Sequence, residues 1–125
     1  PLLVLLEYGI DVEESKRLCQ QLNISDNVLW LPQMKRKELL LLIEKVDLGI
    51  GEFLEGFWGG TCIEFLSKGV PCINSCLISP EKFIKVNGYP IPPIIKAETT
   101  SDIYDKFILY EENPNFYLGS AYHTF

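Results

Sequence analysis

Apolar residues are arranged along this chain in two ways. Short, largely apolar runs occupy residues 2–6, 28–31, 48–51 and 71–74. Runs of that length and make-up are what strands buried on both faces look like. Between them lie stretches with helical spacing. In residues 12–22, Ser15, Leu18, Cys19 and Leu22 recur at i, i+3, i+4 and i+7, with Asp11 placed to cap. Residues 39–46 are apolar nearly all round, which predicts a well-buried helix. A third helix is predicted to open at Thr61 and stop at Gly69. Ser79-Pro80-Glu81 predicts a short helix to about residue 86, with Pro at its first position. A short fifth strand is expected at 94–95. Thr99 to Asp102 reads as a helix start, followed by Ile103, Phe107 and Tyr110 at helical spacing. Asn113-Pro114 breaks that helix and opens a last one toward the terminus.

Strands alternating with helices through short connections predict an α/β fold, with a parallel sheet flanked by helices on both faces. In such sheets ligands bind beyond the carboxyl ends of the strands. The glycine-rich loop 52–60 leaves the carboxyl end of the third strand, so it stands where ligand chemistry is expected.

Length and charge narrow the picture. The chain has 125 residues, the size of one ordinary domain. Its net charge of -6, from 17 acidic and 11 basic residues, excludes a nucleic-acid binder that works through a basic face. The one basic cluster, Lys35-Arg36-Lys37, reads as a solvated helix start. No apolar run reaches the roughly 20 residues of a membrane span. The apolar start lacks a basic leader and a cleavage site, so it is not expected to be a signal peptide. The chain opens directly in an apolar run and its only Met is Met34, which gives the expectation of a fragment. Four cysteines, at 19, 62, 72 and 76, form no C-x-x-C pair and read as small buried hydrophobes. The single histidine, His123, cannot supply a Ser-His-Asp triad or a His-rich metal site within this chain.

Candidate chemistry concentrates in Gly59-Gly60-Thr61-Cys62-Ile63-Glu64. The glycines let backbone approach a ligand closely. The amides that follow are the unused donors of a helix start, and with the helix dipole they suit a phosphate or diphosphate. Thr61 adds a hydroxyl. Glu64 lies about one turn on, on the same side, where a carboxylate can accept two hydrogen bonds from a ribose diol. The competing explanation is structural: Thr61-x-x-Glu64 is also a capping-box pattern, which needs no ligand. Glu52 reads as solvated loop charge. Glu55 is the better candidate to face a sugar or phosphate, and Phe57 and Trp58 could wall a sugar ring. No Walker pattern follows the loop, and no G-x-G-x-x-G opens a helix after the first strand.

Several stretches, taken in order, resemble the C-terminal, donor-binding domain of a GT-B glycosyltransferase of the retaining family-4 type. Asn27-Val28-Leu29-Trp30-Leu31-Pro32 is similar to that family's strand beside the nucleobase. Glu38-Leu39 through Val46-Asp47-Leu48-Gly49-Ile50 resembles its buried helix and the next strand. The stretch from Glu55 to Pro71 looks like its signature loop and helix, and Asn113-Pro114 with Leu118-Gly119 and Ala121 like its closing helix. The resemblance implies one Rossmann-like half of a GT-B fold, with residues 1–125 a fragment of the donor-binding domain and the acceptor domain absent. It implies that Glu64 holds the ribose of a nucleotide-diphosphate sugar and that the amides of Gly60 and Thr61 meet the diphosphate, with Gly59 in the same substrate-binding loop. Glu55 would lie near the transferred sugar as the catalytic carboxylate, and Leu31 and Pro32 beside the base. The family usually has seven residues between its paired glutamates; this chain has eight between Glu55 and Glu64. Its upstream Arg and Lys, which clamp the diphosphate, precede the strand that begins here. The implied enzyme moves a sugar to a glycan or lipid-linked acceptor, with no metal or other cofactor. It is cytoplasmic, with a peripheral place on the cytoplasmic membrane face as an option, and the isolated domain is expected to be without turnover.

Two other readings fit the same architecture. One is a nucleotide-sugar epimerase-type domain. The other is a non-catalytic flavodoxin-like module such as a receiver, which needs an acidic cluster after strand one and an Asp ending strand three. Here those places hold Glu7-Tyr8-Gly9 and Gly51-Glu52.

Overall fold

The computed structural model describes residues 1–53, 56, 59–115 and 117. The chain is α/β and divides into two compact units, Pro1–Glu38 and Leu39–Phe125. Every strand pairing among the described residues is parallel, distributed over one two-stranded and one three-stranded sheet.

The first unit is a strand, helix, strand arrangement. Strand β1 (Leu3–Glu7) pairs with β2 (Val28–Pro32) in the register Leu3 with Val28 through Glu7 with Pro32. The connection is helix α1 (Val12–Gln21) and a 3-10 turn at Ser25–Asn27. Asp11 is the N-cap of α1, as expected, but its side chain makes no capping bond. The covered face of α1 is Val12, Ser15, Lys16 and Cys19, not the face through Leu18 and Leu22, which are 52% and 57% exposed. Lys16 belongs to the covered face. Its ammonium lies 2.7 Å from Glu7 on β1 and 5.6 Å from the centre of the Trp30 ring on β2. The aliphatic stem is thereby drawn onto the strands while the charge stays paired. Residues 3–6 of β1 are half-buried, so this strand is not buried on both faces as its sequence predicts.

Helix α2 (Arg36–Ile43) starts three residues earlier than expected. The Glu38 carboxylate accepts from the Lys35 backbone N–H at 2.8 Å and satisfies one donor of that helix start. Only Ile43 of α2 is fully buried, and Leu41 is 55% exposed. Apolar sequence all round does not bury a helix that has only one covered side.

The second unit holds strands β3 (Gly49–Ile50), β4 (Cys72–Asn74) and β5 (Ile95–Lys96) in that spatial order. Helix α3 (Gly60–Ser67) joins β3 to β4, and α4 (Pro80–Asn87) joins β4 to β5. Helix α5 (Thr100–Glu112) follows. Successive residues of a strand face opposite sides of a sheet. Cys72 accordingly packs with Cys62 and Leu66 of α3 and with Phe65 and Ile94. Its neighbour Ile73 packs with Ile95 and Ala97 on the other face, covered by Ile103 and Phe107 of α5. All of β4 is buried, which makes it the centre of this unit's core. Helix α4 is capped by Ser79, whose hydroxyl accepts from the Lys82 N–H at 3.3 Å, with Pro80 at the first helical position as expected.

All four cysteines are buried free thiols, as expected. Among the described residues no helix is long and apolar enough to cross a membrane. Leu118, Gly119, Ala121 and His123, expected in or near a closing helix, lie outside the described residues.

Candidate ligand site at the start of α3

Strand β3 ends at Ile50, and the next residues are held rigidly by the end of β4. The Gly51 N–H donates to the Ile73 carbonyl at 2.8 Å. The Glu52 N–H donates to Asn74 Oδ1 at 2.8 Å, and the Glu52 carbonyl accepts from the Ser75 N–H at 2.9 Å. The main chain of Glu52 is therefore fixed on both sides at the carboxyl end of the sheet. Downstream, the Leu77 N–H donates to the Gly56 carbonyl at 2.9 Å and holds the loop again.

Chain direction reverses at Gly59, the N-cap of α3, with φ 55° and ψ 164°. A side chain is strained in that conformation, so glycine is required by the turn. Helix α3 begins at Gly60, one residue before the predicted start. Thr61 is therefore its second residue, not its cap, and no side-chain capping bond forms. The capping-box explanation of Thr61-x-x-Glu64 is corrected: the positive-φ turn at Gly59 pulls the helix start upstream and carries Thr61 into the first turn. The N–H groups of the first turn point out of the helix, because no preceding turn supplies carbonyls for them. Thr61 is exposed and Glu64, three residues on, is half-buried. The two lie on one side of α3.

The structure thus brings Gly59, Gly60, Thr61 and Glu64 together at one helix start, facing the carboxyl end of β3. Leu31 and Pro32 end strand β2 in the other unit, where Leu31 is half-buried and Pro32 exposed. Glu55, Phe57 and Trp58 lie outside the described residues. Among the described residues no group of three or more His, Cys, Asp or Glu side chains could hold a metal ion.

Three features of this site were not among the candidates from sequence. The first is Glu52. Its carboxylate lies against the α-carbon of Gly59, so that a Cβ on Gly59 would collide with it. The second is the pair Asn74 and Ser75, 0% and 1% exposed. Asn74 packs on Gly51 and holds Glu52 through Oδ1, but its Nδ2 and the Ser75 hydroxyl are buried without hydrogen-bond partners. Two successive polar residues, the last of β4 and the one after it, were the available signal.

The third is the thiol pair Cys62 and Cys72. Cys62 sits in the first turn of α3 and Cys72 opens β4. Contact with the Cys72 thiol holds the Cys62 thiol below the usual thiol range, against the pull of burial, while the Cys72 S–H itself donates to the Ile73 carbonyl at 3.6 Å. The Asn74 amide, facing that sulfur without closing a full hydrogen bond, acts in the same direction, and the Glu52 charge opposes it. The neighbouring Cys62 thiol and burial push Cys72 far up.

In the first unit, an open hollow of about 200 Å³ follows β1. Leu6, Tyr8, Ile10 and Trp30 give it an apolar lining. No protein-family model, no curated protein and no solved structure matches this chain.

Proposed function

We propose that the second unit carries the diphosphate- and ribose-binding wall of a glycosyltransferase that uses a nucleotide-diphosphate sugar. The observation that supports this reading best is the start of α3. Its amides follow a positive-φ glycine, carry no side-chain cap, and are succeeded by a hydroxyl and a carboxylate on one side. Amides and the positive end of the helix dipole suit phosphate oxygens. A carboxylate one turn on suits a vicinal diol. Phosphate and diol at that separation describe a nucleotide. Removal of the capping-box explanation strengthens the case, since Thr61 is not employed in closing the helix.

In this reading the fold is one Rossmann-like half of a GT-B enzyme of the retaining family-4 type. The amides of Gly59, Gly60 and Thr61 stabilise the charge that develops on the leaving diphosphate, in place before the reaction and needing no reorganisation. Glu55 stands near the transferred sugar. A further domain of the same enzyme supplies the acceptor side, a glycan or lipid-linked hydroxyl, and upstream basic residues complete the diphosphate clamp. The protein acts at the cytoplasmic side without a metal.

The test is an NMR titration with a nucleoside diphosphate and with inorganic pyrophosphate. Both should move the amides of residues 59–64. Glu64→Gln should weaken the nucleoside diphosphate about tenfold, as expected for loss of a charge-assisted hydrogen bond, and leave pyrophosphate affinity unchanged. Equal weakening of both ligands would remove the ribose role. No response of these amides to either ligand at millimolar concentration would remove the site.

A further inference from the structure

The Glu52 carboxylate stands where the proposed function needs an anion to enter. Its main chain is clamped by Asn74 and Ser75, which leaves the side chain directed along the loop to Gly59. Gly59 is the last residue before the outward-pointing amides of α3. The absence of a Cβ at Gly59 is what lets the carboxylate approach. The carboxylate is close enough to the first turn for its charge to be felt at the Cys62 sulfur. The N-cap of α3 is Gly59, which has no side chain to satisfy the donors there. At the same end of the sheet the Asn74 Nδ2 and the Ser75 hydroxyl are buried without hydrogen-bond partners.

We propose that Glu52 is an internal competitor for the anion seat at the start of α3. This rests on the functional reading above and adds its regulation: in the ligand-free protein the carboxylate covers the approach to the seat. A phosphate arriving there must turn the Glu52 side chain away. Two negative charges a few ångströms apart in a partly solvated site repel enough to weaken binding about fivefold. Because Glu52 is exposed and its anchoring contacts are made by main-chain atoms, its side chain is free to swing without unfolding the loop. The device selects for ligands that bring enough further binding energy to displace it, and it disfavours free inorganic anions.

The experiment is an NMR titration with inorganic pyrophosphate at low ionic strength, comparing the unaltered protein, Glu52→Gln and Glu111→Gln. The last removes the same charge from the end of α5. Glu52→Gln should bind pyrophosphate about fivefold more tightly, with shifts at residues 59–64, while Glu111→Gln behaves as the unaltered protein. Equal affinities for the unaltered protein and Glu52→Gln, with those same amides responding, would overturn the competitor and leave the anion seat standing. A gain in Glu111→Gln as large as in Glu52→Gln would reduce the effect to overall charge and overturn it too. Silence of residues 59–64 in Glu52→Gln would overturn both the competitor and the seat, since a seat freed of its carboxylate has to bind.

Discussion

The ring of Phe65 packs on Gly49 so closely that a Cβ at Gly49 would collide with its Cγ, Cδ1 and Cδ2. This contact seats α3 on β3 and sets how far the helix start stands from the end of the strand. Gly49 is fully buried, and its N–H is tied to the Pro71 carbonyl at 2.8 Å, so the backbone cannot retreat. Gly49→Ala should therefore displace the Phe65 ring and destabilise the protein by about 1–3 kcal/mol, the usual cost of overpacking. Urea denaturation measures it. Restoration of stability in the double variant Gly49→Ala, Phe65→Leu would confirm that the ring is the obstacle.

The sequence made the elements legible but not their coverage. Strand runs and helix starts with proline or a capping pattern appear within a few residues of where they were expected, because local backbone preferences decide them. Ser79-Pro80 and Thr99 are of that kind. Which side of a helix is covered depends on tertiary partners. The apolar spacing of α1 pointed to Leu18 and Leu22, but the covered face includes Lys16, which pairs with Glu7 and lies over Trp30. In α2 an all-apolar stretch said nothing about how much surface was available to cover it.

The candidate site divides in the same way. Its amides, hydroxyl and carboxylate were readable because they lie within six consecutive residues. Glu52 was not, because its importance comes from a contact with Gly59, seven residues on, that no local pattern announces.

Phe83 tests where the stability of the second unit resides. It is fully buried, and its ring meets Tyr89 edge-on at a centroid distance of 5.7 Å. It is the largest fully buried side chain in the protein's described core. Phe83→Ala should cost about 3–5 kcal/mol through lost burial and the cavity left behind. Phe83→Leu, which keeps most of the volume, should cost clearly less in the same thermal or urea unfolding experiment.

Acid should loosen the start of α5 in a way that one carboxylate controls. The Asp102 side chain accepts from the Thr99 N–H at 2.9 Å and the Glu98 N–H at 3.1 Å. These two backbone bonds, with a smaller contribution from the Thr99 hydroxyl, hold its carboxyl below the usual aspartate range. A carboxyl with a depressed folded value contributes stability that is present above its unfolded value and lost as pH falls through the folded one. The loss therefore begins in the ordinary aspartate range and is completed below it. Asp102→Asn should flatten that part of the stability-against-pH curve while changing little of its shape near neutrality. An unchanged acid limb would show that the carboxylate's bonds to Thr99 and Glu98 do not persist in solution.

Two threonines with the same sequence pattern should respond oppositely to the same substitution. At Thr99 the backbone before α5 is extended, at φ -117° and ψ 164°, and the hydroxyl accepts from the Asp102 N–H at 3.1 Å. Both halves of the capping box are formed there. Thr99→Ala should cost about 1 kcal/mol, the usual worth of such a cap. At Thr61 the helix has already started at Gly60, and no side-chain cap is made. Alanine is the better helix former at an interior position, so Thr61→Ala should leave stability within about 0.5 kcal/mol of the starting protein. The ligand titration should reverse the order. Thr99→Ala should bind a nucleoside diphosphate as the unaltered protein does, and Thr61→Ala should bind it several-fold more weakly. A loss of stability in Thr61→Ala without loss of affinity would return Thr61 to a structural role and take the hydroxyl out of the site.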